Sequence, residues 1–442
     1  MQKIADLHIH SKYSRATSPQ MNVVTLDLWA KRKGIDILAT GDFTHPAYLK
    51  ELKENLVEDS SGLLELKNKI DHESRIDHKS TKPRIYEGTE EQKNKTKFIL
   101  SSEISCIYKD KDKTRRVHIC LYAPDFASVD KIIVKLEKRK CNLRSDGRPI
   151  IGMSAKDLAQ ICFDANPKCL VVPAHIWTPW FALFGSKSGY DSMEECFEEL
   201  TPKIYAIETG LSSDPEMNWR LSALDDILFI SNSDAHSPRN LGREANVFDL
   251  DEMIYDEIYN IFAKKQREKF LFTIEFYPQE GMYHYDGHRD CNFSCSPQES
   301  KEKHKNICPV CKKPLVLGVD HRVEDLADRE LGFRPENAID YKSLVPLEEI
   351  IAECMQRGRN TKGVQTVYDA MLEKGKSEFN ILLNLKRDQI EKISNDLIAE
   401  AIDRVRNGKV IAVPGFDGQY GVVKIFSEEE LEKLKPKQKE LF

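Results

Sequence analysis

Apolar residues in the first half of the chain come in short runs, separated by stretches whose apolar positions recur every three or four residues. The runs predict strands over 3–8, 35–39, 98–102, 117–122, 169–173, 204–207 and 228–231. The intervening pattern predicts helices over 23–33, 155–166, 192–200 and 218–226. Gly34 is suited to close the first helix, and Ser154 to cap the second. Repeated strand–helix units of this kind predict an α/β fold with a parallel sheet or barrel. From about 323 onward the pattern turns helical, over 347–357, 364–373 and 385–406, with Gly408 closing the last helix.

Two segments break the rhythm. Residues 51–97 are dense in Lys, Glu, Asp and Asn and read as a charged insertion, solvated and helical or mobile. Its His72 and His78 are not enlisted as ligands. Residues 410–421 read as a strand followed by a glycine-rich turn, either a hairpin cap or a close approach of backbone to DNA.

Composition then narrows the class. The chain has 442 residues, 40% of them hydrophobic, enough for two or three domains with a sizeable core. No run has the length of a membrane-spanning helix and no signal peptide opens the chain, so a cytoplasmic protein without membrane contact is expected. Eleven cysteines in such a compartment argue against a disulfide framework. A net charge of −6 excludes a global basic field, so a nucleic acid would have to be held by local patches. A monomer is expected.

The chemistry gathers where strands end. Asp6-Leu7-His8-Ile9-His10 puts two imidazoles on one face, because side chains on a strand repeat every two residues. Asp42 and His45 follow the second strand, Glu103 the third, His175 the fifth, Glu208 the sixth, and Asp234 and His236 the seventh. His118 is the exception, near the start of its strand. Active sites of α/β barrels collect at the carboxyl ends of the strands. Several histidines and carboxylates at one mouth can hold two or three divalent ions, zinc, manganese, magnesium or iron, and hydrolyse a phosphoester. The chain has no G-x-S-x-G elbow and no Walker loop. Further on, Cys291, Cys295, Cys308 and Cys311 have the spacing of a closed, structural zinc site. Lys312 and Lys313 belong to a basic rim around it that suits a phosphate backbone.

This ligand order resembles the polymerase-and-histidinol-phosphatase (PHP) superfamily. The matching segments are Asp6-x-His8-x-His10, Gly41-Asp42 with His45, Ser102-Glu103-Ile104, His118, Ala174-His175 and Ser233-Asp234-Ala235-His236. In this chain Asp42-Phe43-Thr44-His45 replaces the usual Thr-Asp-His, which leaves open whether Asp42 or His45 binds metal. Ser14 and Arg15 stand where many members have a further histidine. The whole chain is similar to the endonuclease Q family, on Thr40–Pro46, Pro173–Phe181, Glu275–His288, the four cysteines and Gly318–Arg329.

The resemblance implies a distorted seven-stranded (β/α) PHP barrel over 1–268, a small zinc-ribbon-like domain with four cysteine ligands over 269–330, and a mostly helical C-terminal domain over 331–442. It implies a metal-dependent endonuclease that cuts DNA 5′ to uracil, hypoxanthine or xanthine and at abasic sites. Glu103, His175 and Asp234 would be catalytic. His8, His10, Asp42, His45, Glu103, His118, His175, Asp234 and His236 would hold metal. Arg15, Trp177, Trp180, Phe181, Lys312 and Lys313 are candidate DNA contacts, with the aromatic residues beside a flipped nucleotide. The competing expectations are a small-molecule phosphatase of histidinol-phosphate type and a DNA-binding scaffold with an inactive barrel. Gln438-x-x-Leu441-Phe442, at the end of a charged tail, resembles peptides that dock on the bacterial sliding clamp.

Overall fold

The computed structural model describes residues 1–67 and 96–434. The rest of the charged insertion and the clamp-like Gln438, Leu441 and Phe442 lie outside the described residues. At the centre is β1 (Gln2–Asp6), buried from Lys3 onward. It pairs in parallel with β2 (Ile37–Ala39) and antiparallel with β11 (Ala245–Asp249). Around this pair an eleven-stranded sheet forms, and each predicted strand has a counterpart.

The pairing is mixed rather than parallel throughout. β5 (Lys97–Asp110) and β6 (Lys113–Ala123) make a long antiparallel hairpin that sets Glu103 opposite Cys120 and Ser105 opposite His118. The short β7 (Ile150–Ile151) adds in parallel to β5, and β6 also pairs antiparallel with β8 (Leu170–Pro173). The direction of β6 explains His118. Its strand runs opposite to its neighbours, so the strand's early residues lie level with the carboxyl ends of the others. β9 (Ala206–Glu208) and β10 (Leu228–Ile230) form a separate parallel pair.

Local signals set the helices. In α1 (Val23–Lys33) the Asn22 side chain accepts from the Thr25 N–H, and Gly34 ends the helix at φ 87°, a conformation that favours glycine. Asp125 caps α3 (Phe126–Lys138) and Ser154 caps α4 (Ala155–Ala165) in the same way. The insertion departs from expectation at its start. Residues 51–55 complete α2 (Pro46–Asn55), and β3 (Leu56–Glu58) with β4 (Leu64–Leu66) then forms a hairpin at the sheet edge. Leu56, Leu63 and Leu64 supply the buried apolar side that holds this extension on the sheet.

The sheet does not stop at the expected boundary near 268. β12 (Phe270–Glu275) pairs antiparallel with β11, and β15 (Asp340–Ser343) adds in parallel to β12. Phe270 and Ile274, on one face of β12, are buried in the main core. Between these strands lie the hairpin of β13 (Asp286–His288) and β14 (Phe293–Cys295) and its cysteine knuckle. The C-terminal part packs helices Leu347–Met355, Lys362–Gly375, Arg387–Ile393 and Asp396–Arg406, then continues through a ribbon of β16 (Ile411–Val413) and β17 (Val422–Lys424) to a short helix, Glu428–Leu434. Ion pairs join the C-terminal part to α1 and to the loop after His236. Lys33 Nζ lies 2.7 Å from Glu378 Oε2, which also accepts from the Tyr368 hydroxyl at 2.7 Å. Arg239 Nε donates to Glu348 at 3.0 Å, tying the segment after His236 to the helical part.

Candidate metal centre

β1 ends at Asp6, whose buried carboxylate accepts from the Ser233 and Gly242 N–H groups and so holds the segment 233–242 beside it. Leu7 N–H donates to Asn232, and Ile9 bridges to Ala235. These ties bring the two ends of the expected ligand series together. The ligand atoms of His8, His10 and Glu103 all lie within 4.8 Å of one another, as do those of His10, Asp234 and His236, and those of Glu103, His118 and His175.

Glu103 joins the groups. Its Oε2 faces Nε2 of His10 at 3.2 Å and of His8 at 3.6 Å. Its Oε1 faces Nδ1 of His118 at 2.6 Å and Nε2 of His175 at 3.1 Å. On the other side, Asp234 Oδ1 lies 3.0 Å from His10 Nε2 and 3.8 Å from His8 Nε2. Those two nitrogens and that oxygen are buried, yet none has a hydrogen-bond partner. Buried polar atoms are rarely left in this state, and lone pairs converging on one point suit a divalent cation. The donor set therefore fits metal ions.

Electrostatics agrees with geometry. Burial pushes the Glu103 carboxyl up, but His118, Arg148 and His10 outweigh it and hold the group well below the usual carboxylate range. Burial likewise opposes ionisation of Asp234, and the imidazoles of His10 and His8 overcome it. Both carboxylates are thus charged and ready to ligate.

Neither Asp42 nor His45 stands among these clusters, contrary to the expected ligand set. Asp42 stands behind His10. Its Oδ1 faces His10 Nδ1 at 3.2 Å, while its Oδ2 accepts from the Ser11 N–H at 2.7 Å and from the Ser14 hydroxyl at 2.9 Å. His45 turns away and stacks on Tyr13 with ring centroids 4.5 Å apart. Asp42 itself has φ 46°, a left-handed turn, and Phe43 and Thr44 after it are buried before the chain reaches His45. His175 and Asp234 are held at positive φ as well, 29° and 46°. Such backbone is costly for residues other than glycine and clusters at functional sites.

Residues outside the expected ligand set complete the arrangement. Glu208 does for His8 what Asp42 does for His10, with Oε1 3.0 Å from His8 Nδ1. It also accepts from Asn232 Nδ2 at 2.9 Å and from the His175 N–H at 2.8 Å. A carboxylate behind each imidazole fixes the tautomer and turns the other nitrogen inward. Cys120 lies against His8 and Glu208, but burial pushes its thiol up to about 12, which keeps it neutral. Arg148 reaches the mouth, where Nη1 donates to Glu103 Oε2 at 3.1 Å. Glu208 follows a predicted strand and was visible on that ground. Arg148 follows the basic stretch 131–144, which resembles a solvated helix end.

The other candidates divide. Trp177 is 1% exposed, and its indole N–H donates to Asn218 at 2.8 Å, so it is a core residue rather than a DNA contact. Phe181 packs its ring on His118 at 4.8 Å and buttresses the site. Trp180 is 43% exposed and meets Tyr283 edge-on at 6.3 Å. Both border a cavity of about 610 Å³ whose walls include Thr178, Arg239, Arg243 and Phe276. Two of its lining residues are hydrogen-bonded to the cluster segments. Thr178 Oγ1 lies 3.2 Å from His175 Nδ1, and Arg243 donates to the Ser233 carbonyl at 2.8 Å. Arg15, Lys312 and Lys313 are exposed.

At the knuckle the fourth partner differs from expectation. His288, Cys291, Cys308 and Cys311 bring their ligand atoms within 4.8 Å of one another, and Cys295 is not among them. Cys295 lies in β14 opposite Asp286, buried against Cys308 and Leu315. His288-x2-Cys291 and Cys308-x2-Cys311 then have matching spacings.

Residues 346–409 match the family described as the MJ0043 C-terminal domain. The protein MJ0043 of Methanocaldococcus jannaschii is 34% identical over 254 residues, 56% of this chain but only 31% of that protein. The protein YqxK of Bacillus subtilis is 26% identical over 96% of this chain and all of its own length. Among solved structures, the lesion-specific endonuclease PfuEndoQ of Pyrococcus furiosus superposes with a TM-score of 0.81 at 30% identity, over 98% of this chain and 100% of that one. The chain belongs to the endonuclease Q family. A second endonuclease Q structure, a complex with a 27-mer duplex substrate carrying an abasic lesion at its active site, superposes with a TM-score of 0.80 at 31% identity over both full chains. The mixed α/β fold with its central sheet is thus that of endonuclease Q.

Proposed function

We propose that this chain is a metal-dependent DNA repair endonuclease that hydrolyses the phosphodiester 5′ to uracil, hypoxanthine or xanthine and at abasic sites. The observation that carries this reading is Glu103, whose two oxygens face two separate pairs of histidines. Glu103 would therefore be shared by neighbouring metal-binding groups. His8, His10 and Glu103 would hold one ion and Glu103, His118 and His175 a second, with Asp234 and His236 completing the donor set beside His10. Divalent ions bound there would offset the negative charge that develops on the phosphate and make a nucleophilic water available near neutral pH.

The chain's own groups do the rest. Asp42 and Glu208 keep the His10 and His8 rings turned inward. Arg148 presents a guanidinium at the mouth, suited to grip a phosphate oxygen by paired N–H donors. A lesion base inside a duplex hides its reading edge, so it must be extruded. The cavity beside the cluster, within the ~300–1,000 Å³ range usual for ligand sites, is the receiving pocket, with Trp180 and Tyr283 as stacking faces. Deaminated bases carry a carbonyl where the parent carries an amino group, so an N–H donor in the pocket wall, such as the Arg243 guanidinium, would favour them. Lys312, Lys313 and Arg15 would follow the backbone.

We further propose three parts, 1–268, 269–330 and 331–442, as units of function, although one sheet runs through the first boundary. Zinc in the second part would be structural, since four protein ligands leave no open position. The tail residues Gln438, Leu441 and Phe442 are proposed from sequence alone to dock on the sliding clamp. Among the described residues no helix is long and apolar enough to cross a membrane.

The test pairs two assays. A labelled duplex with one uracil is incubated with manganese or magnesium, beside a phosphate-release assay on histidinol phosphate. Cleavage of the duplex without phosphate release is expected; the reverse would establish the phosphatase.

A further inference from the structure

The glycine-rich turn between β16 and β17 is not free to approach DNA by its backbone. It is clasped by the segment 279–287. Gly415 N–H donates to the Gln279 carbonyl at 2.8 Å, Gly418 N–H to Met282 at 3.0 Å and Gly421 N–H to Glu280 at 3.1 Å, while Gly415 accepts from the Tyr285 N–H at 3.0 Å. A Cβ at Gly421 would meet the Gln279 carbonyl oxygen at 2.0 Å, and one at Gly415 the Gly281 oxygen at 2.3 Å. Glycine is required there for backbone-on-backbone packing.

The clasp leaves one side of a rigid ribbon open. Val413 pairs with Val422 and Ile411 with Lys424, so these four share a face, while Val423 on the opposite face packs on the core. Ile411 is 45% exposed, Val413 54% and Val422 46%. Tyr420, two residues before Val422, is 75% exposed and stands at the rim of the cavity beside the metal cluster. Arg289 borders the turn at Gly418, and Lys424 lies on the open face. An apolar ridge held this firmly, edged by cations and ending at the pocket mouth, does not suit bulk water.

We propose that this ribbon is a wedge for duplex DNA, with Tyr420 entering the base stack beside the lesion and filling the gap left by the extruded nucleotide. The inference rests on the endonuclease reading above. Apolar or aromatic side chains pushed between base steps unstack them, and the bases gain a new face to stack on. Arg289 would meet a flanking phosphate, while Lys424 is paired with Glu428 at 3.0 Å. The wedge works only where a stack must be opened, and this makes it separable from the metal chemistry.

The experiment compares Tyr420→Ala and Tyr420→Trp with the unaltered chain on one uracil, presented in a paired duplex and in a single strand, with manganese. A 2-aminopurine next to the uracil reports unstacking on binding in EDTA. Tyr420→Ala should raise the single-strand-to-duplex ratio of kcat/KM on the order of tenfold, the effect of one aromatic–base stack. It should also blunt the 2-aminopurine brightening, and Tyr420→Trp should restore both. Unchanged melting would show that the exposed substitution leaves the fold intact. An unchanged ratio, whether from equal loss on both substrates or from no loss, would overturn the wedge while the endonuclease reading stood. Failure of the unaltered chain to cut either substrate would overturn both.

Discussion

Asp42 Oδ1 stands 3.2 Å from His10 Nδ1, on the side of the ring away from the cluster, while His10 Nε2 points inward at Glu103 and Asp234. We therefore propose that Asp42 positions His10 rather than ligating metal itself. Asp42→Asn should weaken metal binding by about 10–100-fold, the usual effect of losing such a partner. Excess metal should recover cleavage. The check is a metal titration followed by both bound-ion content and activity. A variant that no metal concentration rescues would return Asp42 to the ligand set.

The knuckle gives a sharp contrast. His288→Ala should lose zinc and lower the melting temperature, because a tetrahedral site with three protein ligands is no longer closed. Cys295→Ser should keep its zinc. Metal analysis of the two purified variants decides between them; zinc lost from Cys295→Ser and kept in His288→Ala would restore the four-cysteine site.

Trp177 and Trp180 separate core from surface within four residues. Trp177→Ala should destabilise the fold by about 3–5 kcal/mol, the range for removing a buried large aromatic. Trp180→Ala should leave thermal melting unchanged and weaken binding to uracil-containing duplex. Melting curves and fluorescence anisotropy measure the two effects independently.

Glu275 supplies a pH prediction. Burial pushes its carboxyl up to about 8, against the lowering effect of hydrogen bonds from Thr273, Ser231 and Thr209. The folded chain thus holds a proton that the unfolded chain releases near its ordinary value of 4.5. The contribution to stability is complete below that value and is lost as pH rises through about 8. Glu275→Gln should flatten the decline in denaturant midpoint across this window. An equally steep decline in the variant would show that another group is responsible.

Much of the centre was legible because strand periodicity is rigid. His8 and His10 had to share a face, and residues at strand ends had to share a mouth. What the sequence could not convey is how the chain turns between strands. At the left-handed turn of Asp42 the chain leaves Asp42 behind His10 and His45 stacked on Tyr13, apart from the clusters. The left-handed backbone at His175 is likewise set by tertiary ties, such as Glu208 to its N–H. Spacing also misled where two residues competed for one role. Cys295 has suitable spacing but lies in β14, packed inward on Leu315, while His288 faces the knuckle. Arg148 was hidden among exposed cations because its partner, Glu103, is distant in sequence.

If the cluster around Glu103 holds ions that cut DNA beside a lesion, cleavage depends on those ions. The most direct test strips the chain with EDTA, adds back manganese, and maps the product of a 5′-labelled duplex carrying one uracil. No cleavage is expected without metal and, with it, one product ending immediately 5′ to the uracil. Asp234→Ala, folded and metal-saturated, should be at least two orders of magnitude slower, more than the ~10–100-fold typical for supporting partners. Cleavage that persists in EDTA, or in that variant at the normal rate, would contradict that dependence.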